Sequence, residues 1–91
     1  MSSAQHPETW LFDLGNSRAK AARLEGSEPL DVLALDWNRP DFVAAMREEL
    51  GRWPHPARVW IASVASAELV EKMRAALDSI EAHRVEWLHT P

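Results

Sequence analysis

The spacing of apolar residues changes abruptly at Pro40 in this 91-residue chain, and the change limits the folds that the chain can adopt. Before Pro40, apolar runs of strand length are separated by turn-forming residues, which predicts three consecutive strands joined by hairpins. After Pro40, apolar residues recur at helical spacing, then form a short β-rich run, and then repeat both patterns. The sequence therefore predicts the element order βββαβαβ.

The first predicted strand, residues 9–14, is apolar on both sides, as in a strand that is covered on both faces. The following pair, Gly15 and Asn16, suits a turn with left-handed backbone angles. Ser66 suits the N-cap of the second helix, where Glu68 and Lys72 are spaced for an ion pair. The remaining expected elements are strands at residues 17–24, 30–37, 59–64 and 85–88 and a helix at about 41–53.

Hairpins make neighbouring strands antiparallel, whereas strand–helix–strand units join parallel strands by right-handed crossovers. The order of elements therefore predicts a mixed five-stranded α/β sheet of order 3-2-1-4-5, with strand one in the middle and both helices packed on it. Two helices divided between the faces would cover one face thinly, so a further covering element is expected. Residues 1–8 are small, polar and interrupted by proline, and we expect them to be a disordered leader.

Charge and composition exclude several classes of function. A net charge of -4 and a pI near 5.5 lack the positive surface that nucleic acid or an anionic membrane would require. The chain has no cysteine, and its apolar runs are shorter than the roughly 18 residues of a membrane span. We therefore expect a cytoplasmic protein without nucleic-acid or membrane partners.

The segment from Asp13 to Lys20 carries the most informative functional pattern. An acidic residue in an apolar central strand is costly unless its charge is paired. A phosphate site would explain the pattern: Asp13 would hold a hydrated Mg²⁺, Gly15 would let the backbone approach a phosphate, and Ser17 and Lys20 would contact its oxygens. An ordinary hairpin turn, with Asp13 accepting turn N–H groups and Lys20 solvated, is the alternative.

Other polar residues give weaker patterns. Ser63 borders the expected cleft, but no Gly-x-Ser-x-Gly turn surrounds either Ser63 or Ser66. The tryptophans fall in predicted strands or on an apolar helix stripe, which favours packing over ligand stacking. The histidines lack metal-ligand spacing and are interpreted as scattered surface residues: His6, His55, His83 and His89.

An Asp-x-Gly-x-Ser/Thr turn between the first two strands of a βββαβαβ unit is similar to the opening of the actin-like (ribonuclease H-like) ATPase and sugar-kinase superfamily. Within it, the chain resembles the N-terminal half of a type III pantothenate kinase, through residues 10–20 and the later strand at 59–64. The resemblance implies that ATP is lined by Asp13, Leu14, Gly15, Asn16, Ser17, Arg18, Ala19 and Lys20, with Asp13 on Mg²⁺-bridged phosphates.

The resemblance further implies an ATP-dependent kinase that converts pantothenate to 4'-phosphopantothenate, the first step of coenzyme A biosynthesis, with K⁺ or NH₄⁺ as a monovalent cation and a homodimer as the assembly. Residues 9–91 would be its N-terminal ATP-binding lobe. The family's Gly-x-Asp-Arg element, which carries the general-base aspartate, does not occur in this sequence and is expected beyond Pro91. This fragment alone is therefore expected to be inactive, with no catalytic residue of its own.

Two other functions stay open at this point. A non-catalytic regulator of the same fold, of the Bvg accessory factor type, would keep the turn without kinase activity. A different sugar or acetate kinase, or an Hsp70-like ATPase, usually carries longer insertions after the third strand. Here the third predicted strand runs almost directly into the helix at Pro40, which counts against that last group.

Overall fold

The computed structural model describes residues 8–25, 28–78, 80 and 84–89 of the chain. The predicted order of elements is confirmed: β1 (Thr9–Leu14), β2 (Arg18–Glu25), β3 (Glu28–Asp36), α1 (Phe42–Leu50), β4 (Arg58–Ser63), α2 (Ala67–Leu77) and β5 (Arg84–His89). Residues 1–7 of the expected leader lie outside the described residues. Glu8 is described, and its carboxylate accepts a hydrogen bond from the Arg23 guanidinium at 2.6 Å.

The five strands form one mixed sheet of order β3-β2-β1-β4-β5, as predicted. β1 pairs antiparallel with β2 and parallel with β4, so it lies in the middle of the sheet. Because parallel strands end at the same edge, the turn after β1 and the connection after β4 lie at one edge of the sheet. The backbone N–H of Val64 donates to the carbonyl of Leu14 across this edge at 3.0 Å. Ligands of open α/β sheets commonly bind at such an edge.

Both helices pack on the same face of the sheet. Arg47 of α1 donates a hydrogen bond to the Ala75 carbonyl of α2 at 2.8 Å, which shows that the two helices are neighbours. Alternate residues of β1 point toward the helices and are buried. These residues form one core with both helices and the neighbouring strands: Trp10, Phe12, Leu14, Ala19, Ala21, Trp37, Phe42, Met46, Leu50, Val59, Ile61, Met73 and Ala76.

The other face of the sheet carries no helix within the described part of the chain. Leu11 is 40% exposed and Val32 is 69% exposed, and the pairing registers place them in one row across the sheet with Ala22 and Trp60. The expectation that β1 is covered on both faces is therefore not met by the described residues. Apolar residues on both sides of a strand indicate that it can be covered, but they do not identify the element that covers it.

Helix α1 is shorter than the predicted helix at 41–53. It begins after the N-cap Asp41 and ends at Leu50, and the chain continues as a turn in which the Trp53 N–H donates to the Leu50 carbonyl at 3.0 Å. The Trp53 ring packs edge-on against Trp10 at 5.3 Å, so its predicted packing role is confirmed. Neither helix in the described ranges is long and apolar enough to cross a membrane.

Helix α2 begins as predicted at the N-cap Ser66. The Ser66 hydroxyl accepts a hydrogen bond from the Leu69 N–H at 3.4 Å. The expected ion pair between Glu68 and Lys72 does not form in the described structure. The Lys72 ammonium instead donates to the Trp37 carbonyl at 3.3 Å.

Candidate functional site

The turn between β1 and β2 places the two expected charged residues side by side. Asp13 pairs directly with Lys20 in the antiparallel register, so both side chains lie on the same face of the sheet. The Gly15 N–H donates to the Arg18 carbonyl at 3.1 Å and closes the turn, which leaves Asn16 and Ser17 at its tip. The hairpin therefore brings a carboxylate, an ammonium and a glycine-containing turn to one place.

These residues line an open depression of about 590 Å³ at the uncovered face of the sheet. Six of the eight residues in the predicted ATP-binding set contribute to it: Asp13, Gly15, Asn16, Ser17, Arg18 and Lys20. The side chains of Leu14 and Ala19 are fully buried in the core instead. Strand alternation sends them to the helix face, so only their backbone groups are available to a ligand.

The charged side chains of Asp13 and Lys20 in the depression are not paired with other side chains in the described part of the protein. Asp13 and Lys20 are both exposed, and neither forms an ion pair or a side-chain hydrogen bond with another described residue. The expected burial cost of Asp13 therefore does not arise here, because its side chain lies on the open face. Both groups are available to a ligand, and a carboxylate beside an ammonium suits a metal-bound phosphate.

Gly15 is not in the left-handed conformation that the Gly15-Asn16 pair predicted. Its φ lies outside the left-handed region, and a Cβ atom built on it would lie 3.6 Å from the Arg18 carbonyl oxygen, an ordinary contact. For Gly15 the expectation is not met, because Gly15 precedes the two residues at the tip of the turn, Asn16 and Ser17. The described fold would accept alanine here, so the turn alone does not account for a glycine at this position.

Trp37 supports this turn, and the sequence pattern did not reveal it. Its indole N–H donates to the Gly15 carbonyl at 2.8 Å, and its backbone N–H donates to the Ser17 carbonyl at 3.2 Å. The side chain is 2% exposed and packs against Phe42 of α1, with 4.8 Å between ring centroids. Trp37 follows β3, and the sequence pattern predicts it only as the last apolar residue of a strand. Its contact with Gly15 joins residues 22 positions apart, which no local pattern indicates.

The serines of the β4–α2 connection do not line the depression. Ser63 is 7% exposed, and its hydroxyl accepts a hydrogen bond from the Ala65 N–H at 3.1 Å. The parallel register pairs Ser63 with Leu14, so its side chain lies on the helix face rather than at the expected cleft. Ser66 acts as the helix cap described above.

Metal-ligating side chains are sparse in the described ranges, which contain no group of three or more His, Cys, Asp or Glu residues placed to hold a metal ion. Among the histidines, His55 is exposed, as expected. His6 and His83 lie outside the described residues, and the side chain of His89 is not described. Asp13 is the one carboxylate among the described residues that line the depression, and a single carboxylate fits a Mg²⁺ ion held mainly by phosphates and water.

A second depression of about 330 Å³ lies at the β5 side of the molecule, on the helix face. The Arg74 guanidinium lies 4.4 Å from the centre of the Trp87 ring there, and apolar residues such as Leu77 and Val85 form its walls. The predicted packing role of Trp87 agrees with this position. The depression is far less polar in its residue types than the turn, so it does not suit a triphosphate.

The fold defines the class of protein. The described chain is similar to Archaeoglobus fulgidus Pelota, with a TM-score of 0.65 and 10% identity over 93% of this chain and 27% of that chain. It is also similar to an Aquifex aeolicus PPX-GPPA enzyme, with a TM-score of 0.51 and 10% identity over 91% of this chain and 36% of that chain. These likenesses concern the fold alone, and they confirm the predicted actin-like α/β lobe.

The sequence points to a particular family within that class. The chain is 42% identical over 68 residues to proteins named type III pantothenate kinase from Xanthomonas campestris pv. campestris strains B100, 8004 and ATCC 33913. The predicted resemblance to type III pantothenate kinases is confirmed. The matched segment is 75% of this chain and 27% of each relative, so the chain spans about a quarter of their length. No protein-family model matches the chain.

Proposed function

We propose that this chain forms the ATP-binding part of a type III pantothenate kinase, which transfers the γ-phosphoryl group of ATP to the primary hydroxyl of pantothenate and yields 4'-phosphopantothenate for coenzyme A synthesis. One observation carries the proposal: Asp13 and Lys20 lie side by side next to the open backbone of Gly15, in one depression. The kinase names of the similar Xanthomonas sequences support the choice of reaction.

Four residues of the β1–β2 hairpin have roles in binding the phosphates. The Lys20 ammonium supplies a compact positive charge to phosphate oxygens, and the Ser17 hydroxyl donates a hydrogen bond to them. The Asp13 carboxylate would hold a Mg²⁺ ion at this site, and Gly15 would let the phosphates approach the backbone. Mg²⁺, when bound, neutralises charge on the transferring phosphoryl group. Catalysis by this part of the enzyme consists of positioning and charge neutralisation.

The other components of the reaction are proposed from the resemblance. The sequence contains no Gly-x-Asp-Arg element, so we place the base that activates the pantothenate hydroxyl in a further segment of a longer parent protein. K⁺ or NH₄⁺, a homodimer and a cytoplasmic location belong to the same proposal. The chain on its own is then expected to bind nucleotide weakly and to transfer no phosphate.

A chimera tests the proposed reaction. Residues 8–89 of this chain replace the corresponding segment of the Xanthomonas campestris relative, which aligns with this chain over 68 residues, and ADP formation is measured with ATP, Mg²⁺, K⁺ and pantothenate. We expect pantothenate-dependent ADP formation, and Asp13→Asn in the chimera should lower its rate by at least about 10²-fold through loss of charge stabilisation. Asp13 has no partner in the described structure, so its substitution should leave the melting temperature unchanged.

Asp31→Asn is the matched control. Asp31 lies on β3 toward the other end of the strand, is 52% exposed and pairs with Arg23, so the same chemical change there should leave the rate unchanged. Near-normal turnover of the Asp13→Asn chimera would remove Asp13 from the mechanism. A folded chimera that binds ATP but forms no ADP would favour the non-catalytic regulator.

A further inference from the structure

Trp37 holds the turn between β1 and β2 from the core side by two hydrogen bonds. The indole N–H reaches the Gly15 carbonyl at 2.8 Å, and the backbone N–H reaches the Ser17 carbonyl at 3.2 Å. Two of the carbonyls in the turn are therefore fixed by one buried residue. A carbonyl that loses a part-buried donor must find water or rotate toward another partner.

Because the peptide unit is planar, the direction of each of these carbonyls also fixes the direction of the N–H group that follows it. In a trans peptide unit the C=O of one residue and the N–H of the next point in opposite directions. The Gly15 carbonyl points to the buried indole, so the Asn16 N–H points away from the core, toward the depression lined by Asp13 and Lys20. This N–H has no acceptor among the described residues.

Trp37 is itself fixed from two directions. Its ring lies 4.8 Å from the Phe42 ring of α1, and its carbonyl accepts a hydrogen bond from the Lys72 ammonium of α2 at 3.3 Å. The position of the turn thus depends on both helices through one residue, by its ring toward α1 and by its backbone carbonyl toward α2. An anion site made of backbone N–H groups requires such support, because small rotations of the peptide unit remove its donors.

We propose that Trp37 is a positioning residue that holds the Gly15–Asn16 peptide unit with its N–H directed at the bound phosphates. The inference rests on the proposed function for its ligand, and on the observed hydrogen bonds for its geometry. It assigns a binding role to a residue outside the Asp13–Lys20 segment. Trp37 touches neither ATP nor the acceptor in this arrangement and acts through the turn.

The test compares two tryptophan-to-phenylalanine variants of the chain. Trp37→Phe removes the indole N–H and keeps an aromatic ring in the core. Trp10→Phe is the matched control: Trp10 is 1% exposed, and its indole nitrogen has no hydrogen-bond partner in the described structure. Both variants lose similar buried volume, so both lose stability, but only Trp37→Phe releases the turn.

Two measurements distinguish the positioning of the turn by Trp37 from the binding of nucleotide at the turn. NMR relaxation and amide exchange at Asn16, without nucleotide, should show a more mobile and faster-exchanging turn in Trp37→Phe and no change in Trp10→Phe. Titration with Mg·ATP, at equal folded fraction, should show about tenfold weaker binding for Trp37→Phe and less than about twofold change for Trp10→Phe, since one charge-assisted hydrogen bond is lost.

Unchanged mobility of the Asn16 amide in Trp37→Phe would overturn the positioning role of Trp37, whatever the affinity for Mg·ATP. A mobile turn together with unchanged Mg·ATP affinity would overturn the link from Trp37 to the ligand. The unsubstituted chain could also fail to bind Mg·ATP while the turn becomes more mobile in Trp37→Phe. That result would support the positioning role of Trp37 and contradict the proposed function. The two proposals therefore fail by different observations.

Discussion

Replacement of Gly15 by alanine separates a glycine required by the fold from a glycine required by a ligand. Gly15 follows the buried Leu14 and precedes the tip of the turn, and it lines the depression. Gly15 and Asp13 line the same depression, so a side chain added at Gly15 would lie at that depression. The substitution therefore adds one methyl group at the entrance to the proposed phosphate site and changes nothing else in the chain.

The structure gives opposite expectations for stability and for binding. The new Cβ would lie 3.6 Å from the Arg18 carbonyl oxygen, and the φ of Gly15 lies outside the left-handed region. Alanine should therefore be tolerated, and it should stabilise the fold by about 0.4–1 kcal/mol by restricting the unfolded chain. A methyl group that blocks one charge-assisted hydrogen bond should cost about 1.5–3 kcal/mol of binding. This corresponds to a loss of affinity of roughly 10- to 150-fold.

Urea unfolding and calorimetric titration with Mg·ATP measure the two quantities on the same samples. Gly51→Ala is the control, because Gly51 follows α1 away from the depression; its added Cβ would lie 3.1 Å from the Arg47 carbonyl oxygen, and nucleotide affinity should not change. A Gly15→Ala variant that binds Mg·ATP as tightly as the parent chain would refute the reasoning. A loss of more than about 1 kcal/mol in stability would refute it as well, since the turn would then require glycine.

Three further changes have expected outcomes. Phe12→Ala removes a fully buried core ring and should lower the free energy of unfolding by about 3–5 kcal/mol, measured with urea. Ser66→Ala removes a long cap hydrogen bond of 3.4 Å and should cost about 0.5–1 kcal/mol in the same assay. The Arg39 guanidinium lowers the pKa of the Asp41 carboxyl through a side-chain hydrogen bond. The pair therefore stabilises the fold at pH values above the ordinary carboxyl pKa, and this stabilisation is lost as the pH falls through the lowered pKa of Asp41. An NMR titration of Asp41, with Arg39→Ala as the reference, checks this expectation.

The order of the elements and the sheet could be predicted because both follow from local patterns. The change of period at Pro40 separates hairpins from strand–helix–strand units, and the connection rules then leave few sheet orders. The residues around the first turn were found for a similar reason, since Asp13, Gly15 and Lys20 stand close together in the sequence. A register with two residues at the tip brings Asp13 and Lys20 directly opposite each other.

The parts that the sequence did not reveal depend on contacts between distant segments. Trp37 reaches Gly15 across 22 residues, through the packing of β3 against β2, and Lys72 turns to Trp37 rather than to Glu68. The position of both helices on one face follows from core packing, which apolar spacing does not specify. The φ of Gly15 depends on the turn that the two strands impose, and its residue type alone misled the prediction.

A titration of the isotope-labelled chain with Mg·ATP, followed by amide chemical shifts, shows whether the β1–β2 turn binds nucleotide. We expect millimolar binding, about -4 kcal/mol, with shift changes at Asn16, Ser17 and Lys20 that are lost in Lys20→Ala. No shift change up to about 20 mM nucleotide, or changes gathered around Leu77 and Trp87 at the second depression, would contradict it.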